Sequence, residues 1–315
     1  MTNKLDVHPA SLEERIQIYR NIFEFEFWKM APSMEEHVQL RLKSTKHNRA
    51  KWYAGCLNGQ VVVSLGCYPL SYYFKGEEIT GISIGSVHTL PLFRRKGFAK
   101  QLILWVEKEQ KQKGAKISSL YSDIPPQYYS KIGYLQCPSW ESWLIVNDTR
   151  TTSKSFNWNL ERFSPTNVLE KLNQIYSSYH NFIPLGISRP LTYWEFLISK
   201  QPNDEFYWLK KFPNQNLGYV RLTRVGNDLQ ISDFAVNQHL SDLLEKLFGL
   251  IIKFAREKGF YRVGGWLPDE PVIRSLFKIQ PRTHAITMVK SLEKNLTIEP
   301  EHIATADHFS QIDHV

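Results

Sequence analysis

The segment from Gly85 to Lys100 carries the residues whose types and order best fit a chemical task. An apolar run leads into a turn with the basic residues Arg94, Arg95 and Lys96, and Gly97 then opens an amphipathic run. The first turn of a helix has unpaired N–H groups and a partial positive charge, so this junction can bind a phosphate or pyrophosphate. A solvated basic turn without any ligand is the alternative interpretation.

Two common nucleotide-binding motifs do not fit this segment. The P-loop pattern GxxxxGK(S/T) is absent. Gly81 and Gly85 fall inside the apolar run, so no GxGxxG opens the helix. The predicted anion site therefore depends on the helix start and on Gly97, not on one of these glycine-rich loops.

Two motifs around this junction resemble those of the GCN5-related N-acetyltransferase (GNAT) family. The segment Arg94 to Ala99 matches the acetyl-CoA motif Gln/Arg-x-x-Gly-x-Gly/Ala, and Pro91 stands before it at the customary place. Tyr129 precedes the Gly133-Tyr134 pair by four residues, as in a second family element. The resemblance covers residues 10–147. Two-domain members, such as the enhanced-intracellular-survival aminoglycoside acetyltransferases and the free-lysine N-acetyltransferases, are the nearest relatives that it suggests.

The resemblance implies an α/β (α+β) protein of two acetyltransferase-like modules, each a mixed, mostly antiparallel sheet flanked by helices. It implies direct transfer of an acetyl group from the co-substrate acetyl-CoA to a primary amine, on a small molecule or on a lysine or amino terminus of a protein. Strand residues would pair with the pantetheine arm, and the turn would surround the pyrophosphate. The cofactor-binding residues implied in this way are Val87, His88, Thr89, Arg94, Arg95, Lys96, Gly97, Phe98, Ala99 and Lys100.

The reaction needs an acid for the departing thiolate, a base for the amine and a donor for the oxyanion. Tyr129 matches the family's general acid, because a phenol with a pKa near 10 stays protonated at neutral pH. His88 lies where many relatives carry a base, and a main-chain N–H of His88 or Thr89 would bind the oxyanion. Alternatively Tyr129 and His88 only pack in the core. Ser122 and Asp123 are further base candidates, which would equally serve as caps of a turn.

The elements that position these residues are predicted from local patterns. Ser11 with Glu14 forms a capping box before a helix, and Asn58-Gly59 joins two β-rich runs as a hairpin. Residues 79–87 read as a central strand. Residues 98–114 read as a helix with one apolar face that ends at Gly114, and residues 116–121 as the next strand.

A second unit repeats this order after a polar linker at residues 147–156. Lys258-Gly259 before a strand echoes Lys113-Gly114, which favours a duplicated module over two unrelated α+β domains. We therefore expect a catalytic domain at residues 1–147, a degenerate copy at 156–295 and a tail at 296–315.

The second unit lacks both family motifs. Residues 236–241 contain neither arginine nor glycine, and Leu276 or Phe277 stands where the first unit has Tyr129. We expect no cofactor site there. The tail carries histidines at intervals of six, which places them on different helix faces, so we expect no metal in this protein; they are His302, His308 and His314.

The composition is compatible with a two-unit acetyltransferase but does not by itself indicate one. The 315 residues include 42% hydrophobic and 22% charged residues, which excludes wholesale disorder. The net charge of +8 suits an anionic partner, but no nucleic-acid motif accompanies it. The three cysteines have no CxxC spacing, which indicates a reducing, cytoplasmic compartment and thiols that pack in the core. The sequence shows no apolar leader or membrane span, so we expect no membrane binding. A CoA-binding sensor or scaffold without turnover is the main alternative function. Oligomeric state is left open.

Overall fold

A computed structural model describes residues 4–146, 157–213 and 215–315. The first unit alternates helices and strands in the predicted order. Its elements are β1 Asp6–Pro9, α1 Leu12–Phe25, α2 Met34–Lys43, α3 Thr45–Arg49, β2 Lys51–Leu57, β3 Gln60–Phe74, β4 Glu77–Thr89, α4 Phe98–Gln112, β5 Ile117–Ser122, α5 Gln127–Ser130, β6 Leu135–Gln136 and β7 Trp140–Ile145.

The second unit repeats much of this order. Its elements are β8 Trp158–Phe163, α6 Leu169–His180, β9 Leu185–Ser188, α7 Leu191–Lys200, β10 Glu205–Lys211, β11 Gln215–Val225, β12 Asp228–Val236, α8 Ser241–Glu257, β13 Arg262–Gly265, α9 Pro271–Leu276, β14 Lys278–Pro281, β15 Ile286–Ser291 and α10 Pro300–Thr305. No helix in the described ranges has the length and apolar character that a membrane crossing needs.

Local sequence signals form as predicted. The Ser11 side chain accepts from the Glu14 amide while the Glu14 side chain accepts from the Ser11 amide, which completes the capping box at α1. Asn58 and Gly59 both have positive φ, 49° and 78°, and connect β2 to β3. Positive φ at both central residues matches the right-handed twist of the flanking strands, which is why Asn-Gly favours a tight hairpin.

The described strands form two mixed, mostly antiparallel sheets, as the resemblance implied. The first sheet has the order β1-β2-β3-β4-β5-β15-β6, with β9 also paired to β3. The second has the order β14-β7-β13-β12-β11-β10-β8. Helix α4 and helix α1 cover opposite faces of the first sheet, so the central strand β4 lies between them; the buried helix residues are Leu102, Ile103 and Val106 on α4, and Ile18, Tyr19 and Ile22 on α1.

The two units exchange strands. Strand β7 precedes the polar linker in the chain, yet it pairs with β13 and β14 in the second sheet. Strand β15 comes from the second unit and pairs with β5 and β6 in the first sheet. The boundaries proposed from the sequence, 1–147 and 156–295, therefore divide the chain but not the sheets, and the linker at 147–156 lies outside the described residues.

Candidate active site

Strands β4 and β5 separate halfway along their length. They run parallel and pair only from Gly81 to Ile84 and from Ile117 to Leu120. Strand β15 pairs with the other edge of β5 over all of residues 117–122, whereas residues 85–89 of β4 pair only with β3. A wedge-shaped gap results, along which the main-chain groups of β4 that point away from β3 are available to an extended ligand.

A β-bulge lies at the mouth of this gap. Gly85 pairs with Gly66 and His88 pairs with Ser64, so two residues of β4, Ser86 and Val87, stand opposite one residue of β3. Ser86 has a φ of 52°, which is a strained conformation for a residue with a side chain. Such bulges bend a strand and re-aim its groups, and they are frequent beside active sites.

The turn after β4 presents free amide groups. Gly97 has a φ of 79° and is the N-cap of α4, and Arg95 also has a positive φ of 62°. Among the described residues, no main-chain acceptor bonds the amides of residues 95–99. No acidic residue occupies the first turn of α4, and a Cβ on Gly97 would face open space, so the glycine is required by its φ and not by a close contact.

The basic side chains of the turn have different roles. Arg94 donates from Nε to the carbonyl of Thr89 at 3.0 Å and from Nη2 to Glu26 at 3.0 Å, so it braces the end of β4. Lys96 extends over the ring of Phe93. The exposed side chains of Arg95 and Lys100 form no ion pair with any described residue, so both charges are available to an anion.

His88 is buried and paired with a carboxylate. Its Nδ1 lies 2.8 Å from Oε1 of Glu26, the residue that ends α1. Because that oxygen belongs to a carboxylate, which only accepts, Nδ1 carries the proton and Nε2 keeps its lone pair. Nε2 is buried without a partner among the described residues. Burial lowers the pKa of His88 and outweighs the opposing effect of Glu26, so the imidazole is neutral at pH 7.

Tyr129 lies in α5 within the core cluster shared by α4 and β4. Its ring contacts those of Tyr128 and Tyr134 edge-on, with centroids 5.0 and 6.1 Å away. Its hydroxyl has no hydrogen-bond partner among the described residues. Burial raises the pKa of Tyr129, so the phenol keeps its proton at neutral pH. Tyr128 is more exposed, and its hydroxyl lies near the amide of Lys100 in the turn that opens α4.

The alternative bases have structural partners. The Ser122 hydroxyl donates to the carbonyl of Ile124 at 2.7 Å, and Asp123 accepts from the amide of Ala285 at 2.9 Å. Both therefore stabilise turns. All three cysteines are buried free thiols, and burial raises their pKa values to about 11 for Cys56 and about 12 for Cys67 and Cys137, so they pack as expected.

In the second unit the equivalent strands also separate, and the tail approaches there. Strands β12 and β13 pair only over residues 228–230 and 262–264. Ser310 donates to Asp233 of β12 at 2.6 Å, and Gln311 bonds to Gln230. Arg189, fully buried, joins Asp233 and Asp313 through contacts of 2.6 Å each. The tail is therefore fixed along β12 by buried polar contacts.

The same tail continues to the bulge of the first unit. A Cβ on Gly85 would lie 3.0 Å from the main-chain oxygen of Val315, and 3.3 Å from the ring of Tyr68. Val315 is buried in the core cluster that contains Tyr68 and α1. Residues from the far end of the sequence thus border the gap in the first sheet, a proximity that no sequence motif indicates.

Comparison with protein families finds a match within the first unit. Residues 8–137 match the family model described as the acetyltransferase (GNAT) domain. This match covers the stretch that carries both motifs and confirms the resemblance to the GNAT family there. No curated protein matches the chain.

Solved structures share the fold over nearly the whole chain. A probable N-acyltransferase of unknown function from Enterococcus faecalis V583 is 15% identical, with 92% of this chain and 73% of that chain covered and a TM-score of 0.72. A GCN5-related N-acetyltransferase from Anabaena variabilis is 19% identical, with the same coverage and a TM-score of 0.70. A tandem GNAT protein from the clavulanic acid biosynthesis pathway is 11% identical, with 93% and 100% covered and a TM-score of 0.54. At these identities the likeness shows the fold alone.

Proposed function

We propose that the protein is an N-acetyltransferase that uses acetyl-CoA as co-substrate and transfers the acetyl group directly to a primary amine. The observation that carries the proposal is the separation of β4 from β5 beside the turn with free amides. An extended arm would pair with residues 87–89, and its pyrophosphate would meet the amides of residues 95–99 at the positive end of α4.

The chemistry follows from the groups around the gap. The amine nitrogen attacks the thioester carbon, a C–N bond forms, and the C–S bond breaks. Main-chain N–H groups at the bulge, near His88 and Thr89, would stabilise the oxyanion. The neutral Nε2 of His88 would take the proton of the amine, directly or through water, and the hydroxyl of Tyr129 would donate a proton to the CoA thiolate.

The second unit would serve as a support without a cofactor site of its own. The turn after β12 has none of the basic residues of the first unit, and Phe277 packs on Phe248 where the first unit has Tyr129. The tail contacts β12 at and beyond the point where β12 leaves β13. We also propose a reducing, cytoplasmic location, because buried thiols without partners fit such a compartment.

The test is a screen of small amines, lysine peptides and peptide amino termini with acetyl-CoA, read by release of free CoA thiol. Acetyl-CoA at 100 times its Kd should stabilise the fold by roughly 2.7 kcal/mol in a thermal shift assay. No shift would reject CoA binding altogether. A shift without CoA release for any amine would favour the sensor or scaffold hypothesis over the enzyme.

A further inference from the structure

Three metal-binding side chains from distant parts of the second unit meet at one point. His239 lies in the turn after β12, Glu270 precedes α9, and His308 lies in the tail. The Nε2 atoms of His239 and His308 lie 3.0 and 2.9 Å from the same carboxylate oxygen of Glu270. All three ligand atoms lie within 4.8 Å of one another. The tail histidines were not expected to share a metal, and His308 finds its partners in other segments.

The distances suit a small divalent ion. Zinc binds imidazole nitrogen and carboxylate oxygen at about 2.0–2.2 Å, so ligand atoms around one ion stand roughly 3–3.5 Å apart. The contacts of His239 and His308 with Glu270 lie at the lower edge of this range, and outward shifts of a few tenths of an ångström would admit an ion. A zinc site with three protein ligands usually takes water as its further ligand.

Surrounding residues orient the three ligands as outer-shell groups do in metal sites. The Nδ1 atom of His308 lies 2.8 Å from Asp307, which fixes Nε2 as the atom that faces Glu270. Asp307 is itself held by the amide of Asp269 at 3.0 Å. The ring of His239 stacks on that of Tyr179 at 4.5 Å.

The main chain at this point is strained. Gln238 and His239 both have positive φ, 57° and 51°, without a glycine. Two successive residues in this conformation cost energy and persist only where their surroundings hold them. The His239 ring of this turn contacts Glu270, whose carboxylate also accepts from the Tyr179 hydroxyl at 3.1 Å.

The competing explanation is a proton in place of the ion. Contacts with Asp307 and Glu270 raise the pKa of His308 to about 9, and the histidines lower the pKa of Glu270 to about 2. An imidazolium between two carboxylates satisfies the same contacts. The two explanations differ in one measurable way, since an ion must displace the His308 proton.

A second His-Glu-Cys group of the chain has a sufficient structural explanation. His8, Glu14 and Cys56 also lie together, but Glu14 is the capping-box residue of α1 and its other oxygen accepts from Ser11. The Cys56 thiol is held protonated, because burial and nearby carboxylates raise its pKa to about 11. This group serves as an internal comparison in the test below.

We propose that His239, Glu270 and His308 bind one divalent transition-metal ion of the zinc class, with Asp307 as the orienting residue and water as the remaining ligand. The ion joins the tail to the second unit. Because residues 310–315 continue from this point to Gly85, the site holds in place the segment that borders the gap in the first sheet.

The experiment uses the full chain after dialysis against a chelator, titrated with ZnCl2 by calorimetry in two buffers of different ionisation enthalpy. We expect one ion per chain, with proton release. His239→Ala and His308→Ala should abolish this binding, and Asp307→Asn should weaken it roughly 10–100-fold. The exposed His284→Ala is the matched control and should bind like the parent chain.

Cobalt(II) titration of the parent chain needs no ligand variant, and its spectrum distinguishes the proposed site from the group of His8, Glu14 and Cys56. The parent chain and Cys56→Ser should give the same tetrahedral cobalt spectrum, without a thiolate-to-cobalt charge-transfer band. The proposal fails if no saturable binding occurs, or if binding survives His239→Ala and His308→Ala. It also fails if the thiolate band appears and Cys56→Ser removes it.

Discussion

The Nδ1 atom of His88 lies 2.8 Å from a carboxylate oxygen of Glu26, although 62 residues separate them in the chain. Glu26 ends α1, and His88 lies at the bulge of β4, so the contact joins a helix end to the strand that borders the gap. The pair sets the tautomer of a buried imidazole and leaves its Nε2 as the acceptor.

Replacing Glu26 by glutamine should impair the proposed base without removing it. The carboxylate raises the pKa of His88, so its loss lowers that pKa further and moves the acidic limb of the kcat/KM profile to lower pH. We expect at least about a tenfold loss of kcat/KM at pH 7, at the low end of general-base effects. Glu26→Asp should restore part of the rate. A profile that keeps its shape and position in Glu26→Gln would remove Glu26 from the mechanism.

Tyr129→Phe should slow turnover while leaving acetyl-CoA affinity nearly unchanged. The substitution removes only the hydroxyl and keeps the ring that packs against Tyr128 and Tyr134, so the core should keep its packing. Loss of a general acid costs roughly 10²–10⁴ in rate. Steady-state kinetics and calorimetry with acetyl-CoA measure the two effects separately. The neighbouring Tyr128→Phe is the control and should retain kcat at saturation, whereas parental turnover in Tyr129→Phe would contradict the assigned role.

Gly97→Ala should weaken acetyl-CoA binding through the main chain. The φ of Gly97 is 79°, and an alanine in this conformation is strained by roughly 1–2 kcal/mol. The turn would relax to relieve the strain, and its amides would lose their alignment. A loss of about 1.4 kcal/mol corresponds to a tenfold higher Kd. Gly249→Ala in α8 is the matched control, because its Cβ also meets open space and its φ is ordinary; it should leave the Kd unchanged. Equal affinities in both variants would argue against an amide site at this turn.

The stability of the first unit should fall as the pH drops below the ordinary histidine range. Arg41 donates to His37 and contacts His47, each at 2.8 Å, and burial with this cation lowers the pKa of His47 to about 2. An unfolded chain protonates the same histidine near pH 6.5, so the stability that is present above that pH is lost as the pH falls from 6.5 towards 2. The expected slope for His47 is about 1.4 kcal/mol per pH unit.

Urea unfolding at pH 7, 6 and 5 measures this slope for the parent chain and for His47→Gln. The variant should show the shallower dependence, while His284→Gln, changed at an exposed position, should follow the parent. Identical slopes in all three proteins would mean that His47 accepts a proton in the folded state.

Features set by neighbouring residues could be predicted from the sequence. Ser11 with Glu14, Asn58 with Gly59, and the turn around Gly97 depend on contacts only a few positions apart, and each has its expected form. Glu26 could not be found in this way, because its role is defined by a contact across 62 residues. The one local sign was its place at the end of α1, which carries no chemical meaning without the fold.

The course of the last third of the chain was also beyond local reasoning. Strand β15 presents the same run of four buried residues whichever sheet it joins, so its sequence does not say which strands it pairs with. His308 shares the tail with His302 and His314, whereas its neighbours in space are Glu270 and, through the same carboxylate, His239. Proximity in space is decided by tertiary packing, and spacing along one segment does not report it.

Because β7 and β15 are exchanged, each half of the chain needs the other to complete its sheet. A fragment that ends before β15 would expose the edges of β5 and β6, and it would carry in β7 a strand with no sheet to join. Either half alone would lack a strand of its own sheet, so we expect neither to fold as an independent module. The second unit therefore contributes to the first sheet directly, whatever chemistry it carries itself.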